Sequence, residues 1–177
     1  MTDRTTIGVA VAVPEPWGSE LQAYRQELGD ASAAGIPTHV TLMPPYAVCR
    51  DDLPAVEKHL NDAASMHRTF SIHLRGTGTF RPISPVVFVT LARGISNCEQ
   101  LAYSVRNGPL RTDLSFPYHP HVTVAHHLSD DLLDRAFDDL AMFECAFEVD
   151  RFSLYVHDDA TGWVPSRDFV LRPPLRG

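Results

Sequence analysis

Cysteine is scarce in this chain: Cys49, Cys98 and Cys145 are the only three in 177 residues. They are widely spaced, odd in number and form no Cys-x-x-Cys pair. A disulfide framework and a cysteine-rich zinc site are therefore not expected, and a reducing cytoplasm is the expected location. Long apolar runs are missing too: none approaches the roughly 20 residues that a membrane-spanning helix needs, so no membrane association is expected. The early apolar stretch at 7–13 follows a single basic residue, Arg4, and reads as a first strand, not as a signal peptide. Positive charge is short as well. Fifteen Lys and Arg face 22 Asp and Glu, for a net charge of −7. Positions 130–159 hold ten acidic residues against only Arg135 and Arg151. Affinity for long nucleic acids comes largely from neutralising phosphates, so no extended RNA or DNA surface is expected. A local pocket for one phosphate or one nucleotide end stays open.

What is present is ordinary for a globular protein: 44% hydrophobic and 21% charged residues, with no low-complexity tract or flexible linker. The length suits one domain spanning 1–177, and a monomer is expected. Strands and helices alternate. Residues 7–13 read as a strand, and Leu21, Tyr24 and Leu28 recur at helical spacing before a stop at Gly29. A short strand at 38–42 is expected to end at Pro44-Pro45. Asp51 can cap a helix carrying Leu53, Val56, Leu60 and Ala64, with Pro54 in its first turn. Residues 70–74 alternate as a strand. The order then repeats: a strand at 86–91, a capping box at Ser96 and Glu99 before a helix with Leu101 and Val105, a strand at 121–125, and a helix capped by Ser129. Strands at 147–149, 152–156 and 163–171 complete the chain. Each half thus reads strand, helix, short strand, helix, strand, a duplication in pattern and not in sequence identity, although such alternation is also common in α/β and α+β domains.

The short strand of each half opens on the same tripeptide, His39-Val40-Thr41 and His121-Val122-Thr123, 82 positions apart. Chance places about 0.05 copies of it in a chain of this composition, so a pair in matching positions is a signal. On a strand, residues i and i+2 share a face, so His39 and Thr41 point one way while Val40 packs the other way, and likewise His121, Thr123 and Val122. A pseudo-twofold would bring two imidazoles and two hydroxyls to one cleft. That set suits phosphodiester chemistry. One neutral imidazole removes a proton, the opposite imidazolium donates one to the leaving oxygen, and the threonine hydroxyls hydrogen-bond the non-bridging phosphate oxygens. Either histidine can take either role, and no metal is required. An alternative is a metallohydrolase built on His119, His121, His126 and His127, although no Asp, Glu or Cys ligand stands beside them at a familiar spacing. His59, His67, His73 and His157 read as structural or surface residues.

These residues resemble the 2H phosphoesterase superfamily, specifically the bacterial 2'-5' RNA ligase and 2',3'-cyclic phosphodiesterase family, whose hallmark is two His-x-Thr/Ser motifs. They stand here as Thr38-His-Val-Thr-Leu-Met-Pro-Pro45 and Pro117-Tyr-His-Pro-His-Val-Thr-Val-Ala125. The resemblance covers essentially the whole chain. It implies an α+β fold of two intertwined lobes, with two antiparallel β-sheets facing a central cleft and helices outside. It also implies hydrolysis of 2',3'-cyclic phosphates of nucleotides or RNA ends to 2'-phosphates without metal or cofactor, or 2'-5' ligation in reverse. His39 and His121 would be the acid/base pair, Thr41 and Thr123 the phosphate ligands. Many relatives carry a basic residue close to the position of His126. An imidazole there, charged only at lower pH, favours small-substrate hydrolysis over polynucleotide ligation. Further candidates for the substrate-binding wall are Tyr46, Phe80, Arg81, Tyr118 and His119. Aromatic rings can stack on a base and an arginine can pair with phosphate, while Phe80 and Tyr118 read equally well as core. Trp17 and Trp163 are expected to pack, not to bind. A catalytically idle module that binds nucleotides or RNA ends is the remaining alternative.

Overall fold

A computed structural model describes residues 3–177. The chain runs β1 (Arg4–Ala12), α1 (Trp17–Glu27), β2 (His39–Cys49), α2 (Leu53–Ser65) and β3 (Phe70–Thr79), and then β4 (Val86–Arg93), α3 (Ile95–Val105), β5 (His121–His126), α4 (Asp130–Asp139) and β6 (Glu144–Val149). A hairpin of β7 (Arg151–Asp158) and β8 (Gly162–Val170) closes it. The repeat expected from the sequence is therefore present, with the hairpin added. The strands form two four-stranded antiparallel sheets, ordered β2-β1-β7-β8 and β5-β4-β3-β6. Each motif strand, β2 or β5, lies at the edge of its sheet, and the two edges come together.

The halves interleave. β3 pairs with β4 in the second sheet, and its place in the first sheet is taken by β7. The first helix of each half also leans on the other half's motif strand: α1 on β5, α3 on β2. The alternation of β1 explains its position between these layers. Ile7, Val9 and Val11 are buried in the core, while Gly8, Ala10 and Ala12 form the opposite face. One continuous core joins both sheets, from Ile7, Leu42 and Phe152 to Val89, Val122 and Leu133.

Three local expectations are corrected. Pro44-Pro45 does not end β2, which continues to Cys49. The register against β1 slips between Ile7–Tyr46 and Val9–Met43, so β2 carries one extra residue at the proline pair. A bulge on an edge strand tolerates residues that cannot donate a ladder hydrogen bond. Ser96 does not cap α3. The cap is Gly94, whose φ of 95° is left-handed, and Ser96 lies inside the helix, accepting from the Gln100 side chain. Asp51 falls in a 3-10 turn, Arg50–Asp52, and Asp52 takes the cap position of α2 without a side-chain bond.

Candidate active site

His39 opens β2 and His121 opens β5, so each imidazole projects from the first residue of an edge strand. Val40 and Val122 are fully buried beneath them, as the alternation requires. His39 Nδ1 lies 2.5 Å from the Pro37 carbonyl oxygen, and His121 Nδ1 lies 2.7 Å from that of His119. In both halves the acceptor sits two residues upstream. A carbonyl can only accept, so Nδ1 carries the proton in each ring and Nε2 is left for chemistry. Nothing in the sequence marks this device, because the acceptor is backbone. Thr41 Oγ1 lies 3.1 Å from His39 Nε2 and is placed to donate to it.

Both rings are held below the ordinary histidine value of 6.5. Burial is the main cause for each. For His39 the Pro37 carbonyl opposes burial and the Arg25 charge adds to it. For His121 the His119 carbonyl opposes burial, while positive charge on His119 or His39 would depress it further.

Two cavities flank the pair. One, of about 410 Å³, contains His39, and the other, of about 580 Å³, contains His121. Thr41, Thr123 and His126 line both, so they stand where the cavities join. A tetrahedral anion at that junction would have a hydroxyl from each half and an imidazole on either side.

The remaining candidates divide. Phe80, Tyr118 and His119 line the His121 cavity. Phe80 packs edge-on against His121 with ring centres 4.9 Å apart, and Phe88 supports the same ring from 5.2 Å. The Tyr118 hydroxyl donates to the Thr41 carbonyl at 2.7 Å, tying the second motif segment to the first. Burial pushes that phenol far above its ordinary range, so it stays protonated. His126 is also held low, first by burial and then by the charges of His127 and Arg25, with Asp30 opposing. Arg81 lines neither cavity. Its guanidinium pairs with Asp134 at 2.9 Å and reaches Asp130 at 3.7 Å, both on α4. Tyr46 is likewise absent from both linings and packs on the core. Among the described residues, no group of three metal-ligating side chains is gathered, so the His119, His121, His126 and His127 cluster does not converge.

Several lining residues escaped the sequence reading. Arg25, on α1, is buried with Asp30 in an ion pair of 2.7 Å and borders the His39 cavity. Burial works against the Asp30 carboxylate, but hydrogen bonds from Ser32 and Arg25 outweigh it and hold the pKa below the usual value. His127, read from the sequence only as a metal-ligand candidate, lines the His39 cavity, stacks on His126 at 3.7 Å and has a left-handed φ of 54°. Trp163, expected only to pack, lines the His39 cavity with Tyr155 and Met43. No local pattern signals these, because each depends on which strands become neighbours.

Comparison with known proteins finds the same overall fold. The model of the 2'-5' RNA ligase superfamily matches residues 13–161. A Bacillus licheniformis protein named "Putative phosphoesterase" is 29% identical over 151 residues, covering 84% of this chain and 88% of the relative. Among solved structures, Escherichia coli LigT in apo form superposes with a TM-score of 0.68 at 19% identity, covering 96% of this chain and 99% of that one. LigT complexed with 3'-AMP gives 0.67 at 18% identity, with the same coverage.

Proposed function

The chain belongs to the 2'-5' RNA ligase superfamily of phosphoesterases, and from that premise we propose that it opens 2',3'-cyclic phosphates of nucleotides or RNA ends to 2'-phosphates by two-histidine acid/base catalysis. The observation that carries this reading is the paired Nδ1 lock: two imidazoles, one per half, each with Nδ1 held by a backbone carbonyl so that Nε2 is the nitrogen left for proton transfer, at cavities that share a pair of threonine hydroxyls. The neutral imidazole takes a proton from water. The water oxygen bonds to phosphorus as the bond to O3' breaks, and the opposite imidazolium protonates O3'. In the ground state Thr41 donates to His39 Nε2. An arriving phosphate draws that hydroxyl to a non-bridging oxygen and frees Nε2 for proton transfer, while Thr123 serves the other side. Attack by a nucleoside 5'-hydroxyl in place of water gives a 2'-5' linkage by the same proton transfers. The complex of LigT with 3'-AMP supports a nucleotide as the class of ligand.

The test is incubation with a 2',3'-cyclic mononucleotide in EDTA. The 2'-phosphate is expected to accumulate. His39→Ala and His121→Ala should each lose about 10²-fold or more in kcat while remaining folded, the usual range for a general acid or base. Thr41→Ala and Thr123→Ala should lose less. Binding without turnover would point to an idle module, activity lost to chelator would point to a metal, and full turnover by either histidine variant would overturn the assignment.

A further inference from the structure

Charge is divided unevenly between the surface and the cleft. The chain carries 22 acidic residues and a net charge of −7. Among the described residues, however, no Asp or Glu lines either cavity, and Arg25 is the single Arg or Lys that does. The proposed reaction calls for positive charge beyond what the histidines supply. A cyclic phosphodiester enters with one negative charge, and the monoester leaves with roughly 1.5 to 2 at neutral pH. The imidazole pair holds one proton between its two rings, and the threonine hydroxyls are neutral.

The setting of Arg25 fixes the direction of its charge. The side chain is only 3% exposed, and its Nε and Nη2 both donate to Asp30 Oδ2, at 3.1 and 2.7 Å. The other carboxylate oxygen accepts from the Ser32 backbone N–H and from the Ser32 hydroxyl. Asp30 lines neither cavity, so the carboxylate stands behind and the guanidinium faces the cleft. Nη1 bonds no described residue and remains accessible. An ion pair this deeply buried gains little stability once its desolvation is counted. A fork with two nitrogens on a fixed counter-ion and the third facing a cavity is instead arranged to receive an anion. Arg25 lines the same cavity as Thr41 and Thr123, and its charge depresses both His39 and His126.

We propose that Arg25 is a further catalytic residue: its Nη1 donates to a non-bridging oxygen of the phosphate held between Thr41 and Thr123, and Asp30 is the counter-ion that keeps the guanidinium in place. This assignment rests on the two-histidine reading and adds a permanent cation to it. A guanidinium stays charged at every pH at which the imidazoles titrate. Charge stabilisation is thereby separated from proton transfer. The histidines exchange the proton, and Arg25 meets the negative charge that builds on phosphate as the bond to O3' breaks. Because Asp30 and Ser32 already hold the fork, little side-chain freedom is lost when the anion arrives.

The experiment measures kcat/KM for the two diastereomers of adenosine 2',3'-cyclic phosphorothioate, in which sulfur replaces one or the other non-bridging oxygen. A guanidinium bonded to one of these oxygens makes the wild-type enzyme distinguish the two. Their ratio should change about tenfold in Arg25→Lys and in the neutral pair Arg25→Gln/Asp30→Asn, which keeps an acceptor for Ser32 at position 30. Arg167→Lys, in a surface ion pair with Glu57, should leave it unchanged. A purely structural role would lower both diastereomers together. The dissociation constant for inorganic phosphate should rise about tenfold or more in the neutral pair, the usual weight of a hydrogen bond to a charged group. In the wild-type protein, titration with inorganic phosphate should shift the guanidinium NMR signals of Arg25. A diastereomer ratio unchanged in the folded Arg25 variants overturns the assignment, as do Arg25 signals indifferent to saturating phosphate. If the wild type turns over neither diastereomer while phosphate binding still depends on Arg25, the two-histidine reading falls and the anion ligand stands. Turnover with phosphate binding independent of Arg25 does the reverse.

Discussion

The proposed mechanism needs the two motif imidazoles in opposite protonation states, yet burial holds both below 6.5. A pair with both values depressed passes through its singly protonated form at a lower pH than an unperturbed pair. The kcat/KM profile of the free enzyme is therefore expected to be bell-shaped with its maximum on the acid side of 6.5. A bound phosphate adds negative charge beside both rings and raises both values, so the kcat profile should lie at higher pH than the kcat/KM profile. Initial rates across pH check this, and a rate flat from acid to alkaline conditions would contradict the paired role. The same scale explains Tyr118. Its hydroxyl bonds the Thr41 carbonyl, so it holds the first motif in place from the second.

Among the elements, α3 shows how a local pattern can mislead. Ser96 and Glu99 read as a capping box, yet the chain turns into the helix through Gly94 at a φ of 95°, two residues earlier. A Cβ on Gly94 would lie 2.7 Å from the Ser71 carbonyl oxygen, so β3 leaves no room for a side chain there. Gly94→Ala is expected to cost about 1–3 kcal/mol, the usual range for backbone forced into a sparsely populated region. Ser96→Ala should stay within about 0.5 kcal/mol, as surface substitutions do. Urea unfolding of the two variants separates the explanations, and the reverse order of losses would restore the capping box. The proline pair of β2 makes the same point: proline terminates a central strand, but an edge strand with a bulge absorbs it.

For the whole molecule, His39, His67, His121 and His126 are all held below 6.5, burial being the main cause in each. The unfolded chain accepts protons near 6.5 that the folded chain refuses until lower pH. Stability is therefore complete above that value and falls as the pH drops toward the folded-state values. The melting temperature is expected to fall by about 3 °C or more from pH ~7.5 to pH ~5.5. Because β3 crosses into the second sheet and one core joins both sheets, the unfolding should be a single transition at each pH. A melting temperature that rises on acidification, or two separate transitions, would contradict these arguments.

The sequence by itself determined the alternation of elements, the two His-Val-Thr strands and the face each side chain takes. These depend on periods of two and 3.6 residues within one segment, and burial of Val40 and Val122 follows from them directly. Only the tertiary structure decided which strands became edges and which neighbours each polar group met. It turned Arg81 onto the acidic face of α4, brought Tyr118 to the Thr41 carbonyl 77 positions away, and set Trp163 over Gly8 in the wall of the cavity that holds His39. Such contacts join residues far apart in the chain. They are fixed by the order of strands within each sheet and by the meeting of two sheet edges, and no single segment encodes either.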